Sequence, residues 1–211
     1  MRVIECEQGS EQWELLRMTR PTASCFGNII TPKRGDLSAT CVAYACELVA
    51  KQMGVYTEAP PSFWMEWGTE HEPSALAAYS QDTGSEVEQV GFVLPDSTDR
   101  YGGSPDGLVD NRTGILETKC PKPETLLRYH WDGGLPDMYR PQVQGLLLIT
   151  GCEWCDFFAW HPEVAPFSLR VEADEKYQQK MSNALDEFCD KLDQMIEKMS
   201  KAGVHIIKWE E

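Results

Sequence analysis

The chain has 211 residues, 42% of them hydrophobic, 25% charged and 10% aromatic, which supports one packed core with a small helical annex and predicts a single domain over 1–211. No apolar stretch is long enough to cross a bilayer, and the opening residues Met1, Arg2, Val3, Ile4, Glu5 and Cys6 lack the apolar block of a secretory signal, so a membrane protein is excluded and a cytoplasmic one expected. The formal charge of −15 excludes a broad, non-specific basic coat for nucleic acid.

No internal repeat or low-complexity linker divides the chain. Ser10 can cap a first helix to about Met18, and Thr22 a short second one to about Ile30. Over Ser38–Met53, Val42, Cys46, Val49 and Met53 fall on one stripe, predicting an amphipathic helix. The next helix is expected from Ser62 to Gly84, with Met65, Thr69, Glu72, Leu76 and Tyr79 spaced by threes and fours, which turns Glu72 inward. This closes a helical part over about 1–84. From about 85 to 172 the period shifts to two. Val87–Leu94, Arg100–Ser104, Gly107–Val109 and Ile115–Cys120 are predicted strands, with Asp110 to Gly114 as the turn between the last two. A helix over about Met138–Thr150, strands at Trp154–His161 and Phe167–Val171, and a long helix over about Asp174–Ala202 complete the order. The last helix carries Tyr177, Met181, Leu185, Phe188, Leu192, Met195 and Met199 as a packing stripe within a C-terminal part, 173–211. The expected fold is α/β, a central mixed β-sheet flanked by helices.

Eight cysteines are scattered through a chain too large to need a disulfide framework, so reduced thiols are expected. Cys152 and Cys155 form a C-x-x-C with His161 downstream, the outline of half a zinc or iron–sulfur site. No further ligands follow at regular spacing, which favours plain core thiols.

The chemistry concentrates in one hairpin. Gly103-Ser-Pro-Asp106-Gly and Ile115-Leu-Glu117-Thr-Lys119-Cys are joined by a tight turn, so Asp106 meets the second strand, where period two puts Glu117 and Lys119 on one face. Three such charges among apolar residues are costly to desolvate unless something pairs them. An all-oxygen ligand set selects a hard cation, Mg²⁺ or Mn²⁺, one or two ions, with the Thr118 carbonyl as a further oxygen and Glu72 as a carboxylate acting directly or through water. Lys119 would orient a water or neutralise charge on a phosphate. The bland alternative is a cross-strand ion pair on a solvated face. Gly102, Gly103, Pro105 and Gly107 around Asp106 argue against it, since such residues mark close approach by a ligand or a neighbouring segment.

Charge distribution fits. Residues 61–99 hold eight acidic side chains and no Lys or Arg, and 146–211 hold thirteen against seven, whereas 1–60 and 100–145 are near neutral. The acid excess lies away from the candidate chemistry, as a narrow DNA track requires.

The sequence resembles the phage lambda exonuclease family, the viral-recombinase branch of the PD-(D/E)XK nucleases with their restriction-endonuclease-like core. The likeness is carried by Gln8-Gly-Ser-x-x-Trp13-x-x-x-Arg17, Thr22-Ala-Ser24, Trp67-Gly-x-x-x-Glu72, Ser104-Pro-Asp106-Gly with Glu117-x-Lys119-Cys-Pro, and Tyr139-x-x-Gln142-Val-Gln144 with Thr150-Gly. These blocks, in the family's order, cover roughly residues 8–160. The resemblance implies metal ligation by Asp106, Glu117, the Thr118 carbonyl and Glu72, with Lys119 as catalytic lysine and Gln142 as active-site glutamine; Gln144 points elsewhere. It assigns Arg17, Ser24 and Ser104 to a pocket for the DNA 5′ phosphate, chemistry that suits a bidentate guanidinium and two hydroxyls. Met65 stands where the family has an apolar wedge for the end base pair, though its stripe equally suits plain core. Pro21 and Pro141 depart from the pattern, and Pro141 would start its helix later. The last fifty residues match only as a long helix with a tail.

The resulting expectation is a metal-dependent 5′-to-3′ exonuclease on duplex DNA ends, releasing mononucleotides and leaving a 3′ single-stranded tail for phage-type recombination. The family implies a toroidal homotrimer, a phage single-strand annealing protein as partner and, for a phage-encoded chain, the host cytoplasm. An endonuclease or repair nuclease of the same superfamily, a non-catalytic DNA-end adaptor and an acidic interaction protein remain as alternatives.

Overall fold

The computed structural model describes residues 1–57 and 59–208. Its elements run β1 (Arg2–Ile4), α1 (Glu11–Met18), a 3₁₀ turn (Ala23–Asn28), α2 (Cys41–Gln52), α3 (Phe63–Thr83), β2 (Val87–Glu88), β3 (Phe92–Leu94), β4 (Gly107–Val109), β5 (Gly114–Lys119) and α4 (Pro123–Asp132). A second 3₁₀ turn (Asp137–Tyr139), α5 (Arg140–Thr150), β6 (Trp154–His161), β7 (Val164–Glu172) and α6 (Glu175–Lys201) follow.

The main sheet has five strands in the order β2-β4-β5-β6-β7, and β1 pairs with β3 in a separate two-stranded sheet. Only the β5–β6 pair is parallel. A parallel neighbour needs a long crossover, and α4 and α5 supply it. Apolar alternation divides the two faces of the sheet. Ile115, Cys155, Phe157 and Ala159 point into the larger core with residues of α2, α5 and α6. Leu116 and Phe158 point the other way, onto Tyr79 of α3. Asp156, a carboxylate buried on that second side, receives two hydrogen bonds from Arg170 at 2.8 Å and one from the Tyr79 hydroxyl at 2.8 Å. This pairing removes the large cost of a lone buried charge.

Local chemistry fixes the helix ends. Ser10, Ser62 and Asp174 accept from the backbone N–H groups of Trp13, Met65 and Tyr177, the N-cap bond expected of these residues. Gly84, Gly133 and Gly151 end α3, α4 and α5 in the left-handed region.

Several sequence expectations need correction. The segment after Thr22 is a 3₁₀ turn, and the Thr22 hydroxyl meets Ser24 instead of capping it. On α2 the buried stripe is Cys41, Tyr44, Ala45, Leu48 and Val49, with Tyr44 stacked on Phe188, while Val42 and Cys46 face outward. Apolar residues nearly surround that helix, so periodicity alone gave two candidate stripes. The expected strand Val87–Leu94 breaks at Gly91, where a Cβ would meet the Cys6 carbonyl oxygen at 2.1 Å, and its halves enter different sheets. Around 100–104 only isolated bridges form, Thr22 with Gly102 and Val93 with Gly103. Pro141 lies in the first turn of α5, so that helix starts at Arg140 after the 3₁₀ turn. The structure adds strand β1 and helix α4 to the expected elements; Pro123 at the start and Gly133 at the end mark α4 in the sequence. The long stripe on α6 packs as expected. The end of the expected C-terminal tail, 209–211, lies outside the described residues.

Candidate active site

Asp106 enters the sheet just before β4, where its N–H donates to the Leu116 carbonyl at 3.1 Å. Gly107 pairs with Leu116, so the Asp106 carboxylate reaches along β5. Its Oδ2 accepts from the Thr118 backbone N–H at 2.6 Å and from the Thr118 hydroxyl at 2.7 Å. On the alternate face of the same strand, Lys119 Nζ donates to Glu117 Oε1 and, at 3.0 Å, to the Thr118 carbonyl. Gln142, on the first turns of α5, donates to Glu117 Oε1 at 2.6 Å. The structure therefore brings Asp106, Glu117, Thr118, Lys119 and Gln142 together.

Glu117 is 1% exposed, and its second oxygen, Oε2, is buried without a hydrogen-bond partner. Burial pushes its carboxyl up to about 7, with the Asp106 charge adding to the rise and Lys119 opposing it. Burial alone would push the Lys119 ammonium down, but Glu117 and Asp106 hold it above its ordinary value. Its Nζ also lies 5.5 Å from the centre of the Tyr139 ring, close enough for a cation–π contact. Glu72, from α3, stands at the rim; burial raises its carboxyl, as does the Asp106 charge, and Lys119 lowers it. Burial followed by Glu72 and Asp106 raises the Cys120 thiol to about 11. The Asp106 charge is thus felt at Glu72, Glu117 and Cys120.

A second cluster adjoins the first through the backbone. Helix α1 seats Leu16 against Phe92 and Leu94 of the small sheet, and this fixes Trp13 and Arg17. Trp13 donates its indole N–H to Ser104 Oγ at 2.8 Å, the Arg17 guanidinium lies 4.2 Å from the Trp13 ring, and Arg17 donates to Ser24 Oγ at 3.3 Å. Gln8 donates to the carbonyls of Val90 and Pro105 at 2.9 and 3.2 Å. The N-terminal segment thereby grips Ser104 and Pro105, the two residues before Asp106. Gln8 and Trp13 stood in the sequence motifs without a role; their bonds to this loop supply one.

The glycines around Asp106 serve close packing within the chain. A Cβ on Gly102 would meet the Phe92 ring at 2.3 Å, and one on Gly107 would meet Val87 Cγ1 at 2.2 Å. Met65 is 64% exposed on the outer end of α3, which rules out the plain core role. Gln144 does face away from the cluster, donating to the Glu172 carbonyl and accepting from Asp174 N–H, both at 2.8 Å. Among the described residues no three His, Cys, Asp or Glu side chains converge as a metal group. Cys152 and Cys155 are buried thiols packed in the larger core, and the Cys152 thiol donates to the Arg112 carbonyl.

The YqaJ-like viral recombinase domain matches residues 12–153, a span that includes Trp13, Arg17, Ser24, Glu72 and every residue of the Asp106 cluster. The chain belongs to the YqaJ-like viral recombinase family. Its fold resembles that of the alkaline exonuclease LHK-Exo from Laribacter hongkongensis, with a TM-score of 0.82 at 30% identity over 92% of this chain and 98% of that one. The structure of LHK-Exo in complex with dAMP matches equally. A phage-related exonuclease from Haemophilus somnus 129PT shares the fold at TM-score 0.64 and 17% identity, over 85% of this chain and 96% of that one. No curated protein sequence matches. This YqaJ-like domain is thus an α/β fold of the alkaline-exonuclease type, its mixed sheet flanked by helices. Among its described residues no helix is long and apolar enough to cross a membrane.

Proposed function

We propose that the chain is a magnesium-dependent exonuclease that enters duplex DNA at its ends, holds the 5′ phosphate and hydrolyses the adjoining phosphodiester. The observation that carries this reading is the pairing of two clusters two residues apart. Asp106, Glu117, Lys119 and Gln142 form an acidic centre with a lysine, and Ser104, Trp13, Arg17 and Ser24 form a linked set of hydrogen-bonding groups beside it. Ser104 and Asp106 are separated by Pro105 alone, so one short segment carries a residue of each cluster. The family and the alkaline exonuclease fold support the same activity.

A hard divalent ion fits the residues present. Glu117 Oε2 is buried and unpartnered, and Asp106 takes both its hydrogen bonds on Oδ2, which leaves Oδ1 open. Asp106, Glu117 and the Thr118 carbonyl would hold the ion, and Glu72 would act through water, since the side chains alone do not close a cage. Magnesium, or manganese in its place, supplies Lewis acidity and a water of lowered pKa. The chain's own groups do the rest. Lys119 stays charged and offsets the negative charge that grows on the phosphate oxygens. Gln142 fixes Glu117, and Thr118 fixes Asp106, so neither carboxylate must reorganise during the reaction. Water adds to phosphorus and the 3′ oxygen leaves, giving a 5′ mononucleotide and a new 5′ phosphate for the next cycle. A 3′ single strand remains, which a phage-type annealing protein would take, and the ring-shaped homotrimer of the resemblance belongs to the same reading.

Digestion of a linear duplex with and without 5′ phosphates, in magnesium or chelator, tests the proposal. Magnesium-dependent release of mononucleotides from phosphorylated ends, with covalently closed circles left intact, is expected. Cutting of the circles would instead favour an endonuclease of the same superfamily.

A further inference from the structure

A cavity of about 870 Å³ opens beside Arg17 and Trp13, and neither Ser24, Ser104 nor the acidic centre lines it. It falls within the size range of cavities that hold small organic ligands. Trp13 and Arg17 are shared: they face the cavity and also contact Ser104 and Ser24. The cavity therefore borders the same two side chains that would hold a phosphate, and is open to whatever that phosphate carries.

The lining describes the occupant. Tyr56, 38% exposed, offers aromatic surface beside Trp13, while Tyr44 is buried on Phe188 and only closes the floor. Lys51 lies 4.9 Å from the Tyr56 ring centre and pairs with Glu47 at 3.2 Å. Glu11 and Glu14 stand at the same cavity; their charges oppose a run of further phosphates, whereas a nucleobase is uncharged and stacks on aromatic side chains whatever its sequence. We infer that the cavity takes the unpaired nucleotide of a short 5′ overhang, the internal phosphodiester occupying the Arg17 clamp in place of a terminal phosphate. This rests on the clamp assigned under the proposed function and extends its substrates. Hydrolysis is unchanged: water adds to phosphorus and the 3′ oxygen leaves. The first product from such an end is then a dinucleotide, because one nucleotide lies on each side of the clamped phosphate.

The test uses the full chain with labelled hairpin duplexes in magnesium, either blunt or with a one-nucleotide 2-aminopurine 5′ overhang, each with a 5′ phosphate or a 5′ hydroxyl. The 5′-hydroxyl overhang should be cut at the rate of the blunt phosphorylated end and release a dinucleotide, while the blunt hydroxyl end is slow. Tyr56→Ala should lower dinucleotide release by about 10-fold, the loss expected for one stacking contact, and leave blunt digestion unchanged. Mononucleotide as the first product, or an overhang as slow as the blunt hydroxyl end, would overturn the inference while leaving the proposed function standing. Absence of any digestion would remove the proposed function. In that case binding in chelator decides the cavity alone: 2-aminopurine fluorescence quenched by the wild type and restored in Tyr56→Ala supports it, and no quenching refutes it.

Discussion

Gln142 Nε2 lies 2.6 Å from Glu117 Oε1, a bond from the start of a crossover helix to the central strand it connects. Lys119 donates to the same oxygen. Both donors thus converge on Oε1 and leave Oε2, buried and unpartnered, as the oxygen with capacity for a cation. Gln142→Ala should lower kcat by about 10- to 100-fold, in the range of lost outer-shell partners of a metal ligand, with KM for DNA little changed. Gln142→Glu should do worse, because it replaces the donor with a like charge. Steady-state kinetics on an end-labelled duplex measures both.

Glu117 gives the pH dependence a sign. Its carboxyl is raised by burial from 4.5 to about 7 in the folded chain, so between those values the folded state binds more protons than the unfolded one. Its contribution to the stability of the metal-free protein is fully present below about 4.5 and is lost as pH rises through about 7. A cation must displace that proton. Magnesium affinity should therefore climb about 10-fold per pH unit below 7 and level off above it, a trend that calorimetric titration at several pH values would show. A flat profile would contradict it.

Arg17 should matter only where there is a phosphate to hold. A hydrogen bond to a charged group contributes about 1.5–3 kcal/mol, so Arg17→Ala should raise KM for a 5′-phosphorylated blunt end by roughly 10- to 100-fold. The 5′-hydroxyl blunt end should be unaffected. Equal loss on both ends would indicate a merely structural arginine.

On the far face of the sheet, Tyr79 donates to Asp156, a carboxylate that is 5% exposed. Tyr79→Phe should cost about 2 kcal/mol of stability, as expected for a hydrogen bond to a buried charge, read as a lower urea midpoint with an unchanged slope.

The hairpin that carries Asp106, Glu117 and Lys119 was legible because its signals are local. A tight turn sets the register of Asp106 against β5, and strand alternation puts Glu117 and Lys119 together whatever surrounds them. Gln142 was legible as an inward position on a periodic helix, whereas the stripe that predicts Glu72 inward runs from exposed Met65 to buried Tyr79 and leaves Glu72 half-buried. What the sequence hid depends on contacts distant along the chain. Gln8 reaches Pro105, and Trp13 reaches Ser104, across ninety-seven and ninety-one positions, and no periodicity announces such bonds. Strand β1 is three residues long and exists because β3 pairs with it. The α2 stripe was misjudged because Tyr44 and Leu48 compete with Val42 and Cys46, and only packing on Phe188 of α6 decides between them.

The most direct measurement is single-turnover cleavage of a 5′-labelled duplex by Lys119→Ala in saturating magnesium, with end binding followed in parallel. Normal binding of the phosphorylated end is expected, with release of the terminal nucleotide about 1,000-fold slower than wild type, a loss of about 4 kcal/mol in transition-state stabilisation. Wild-type release rates from that variant would contradict it.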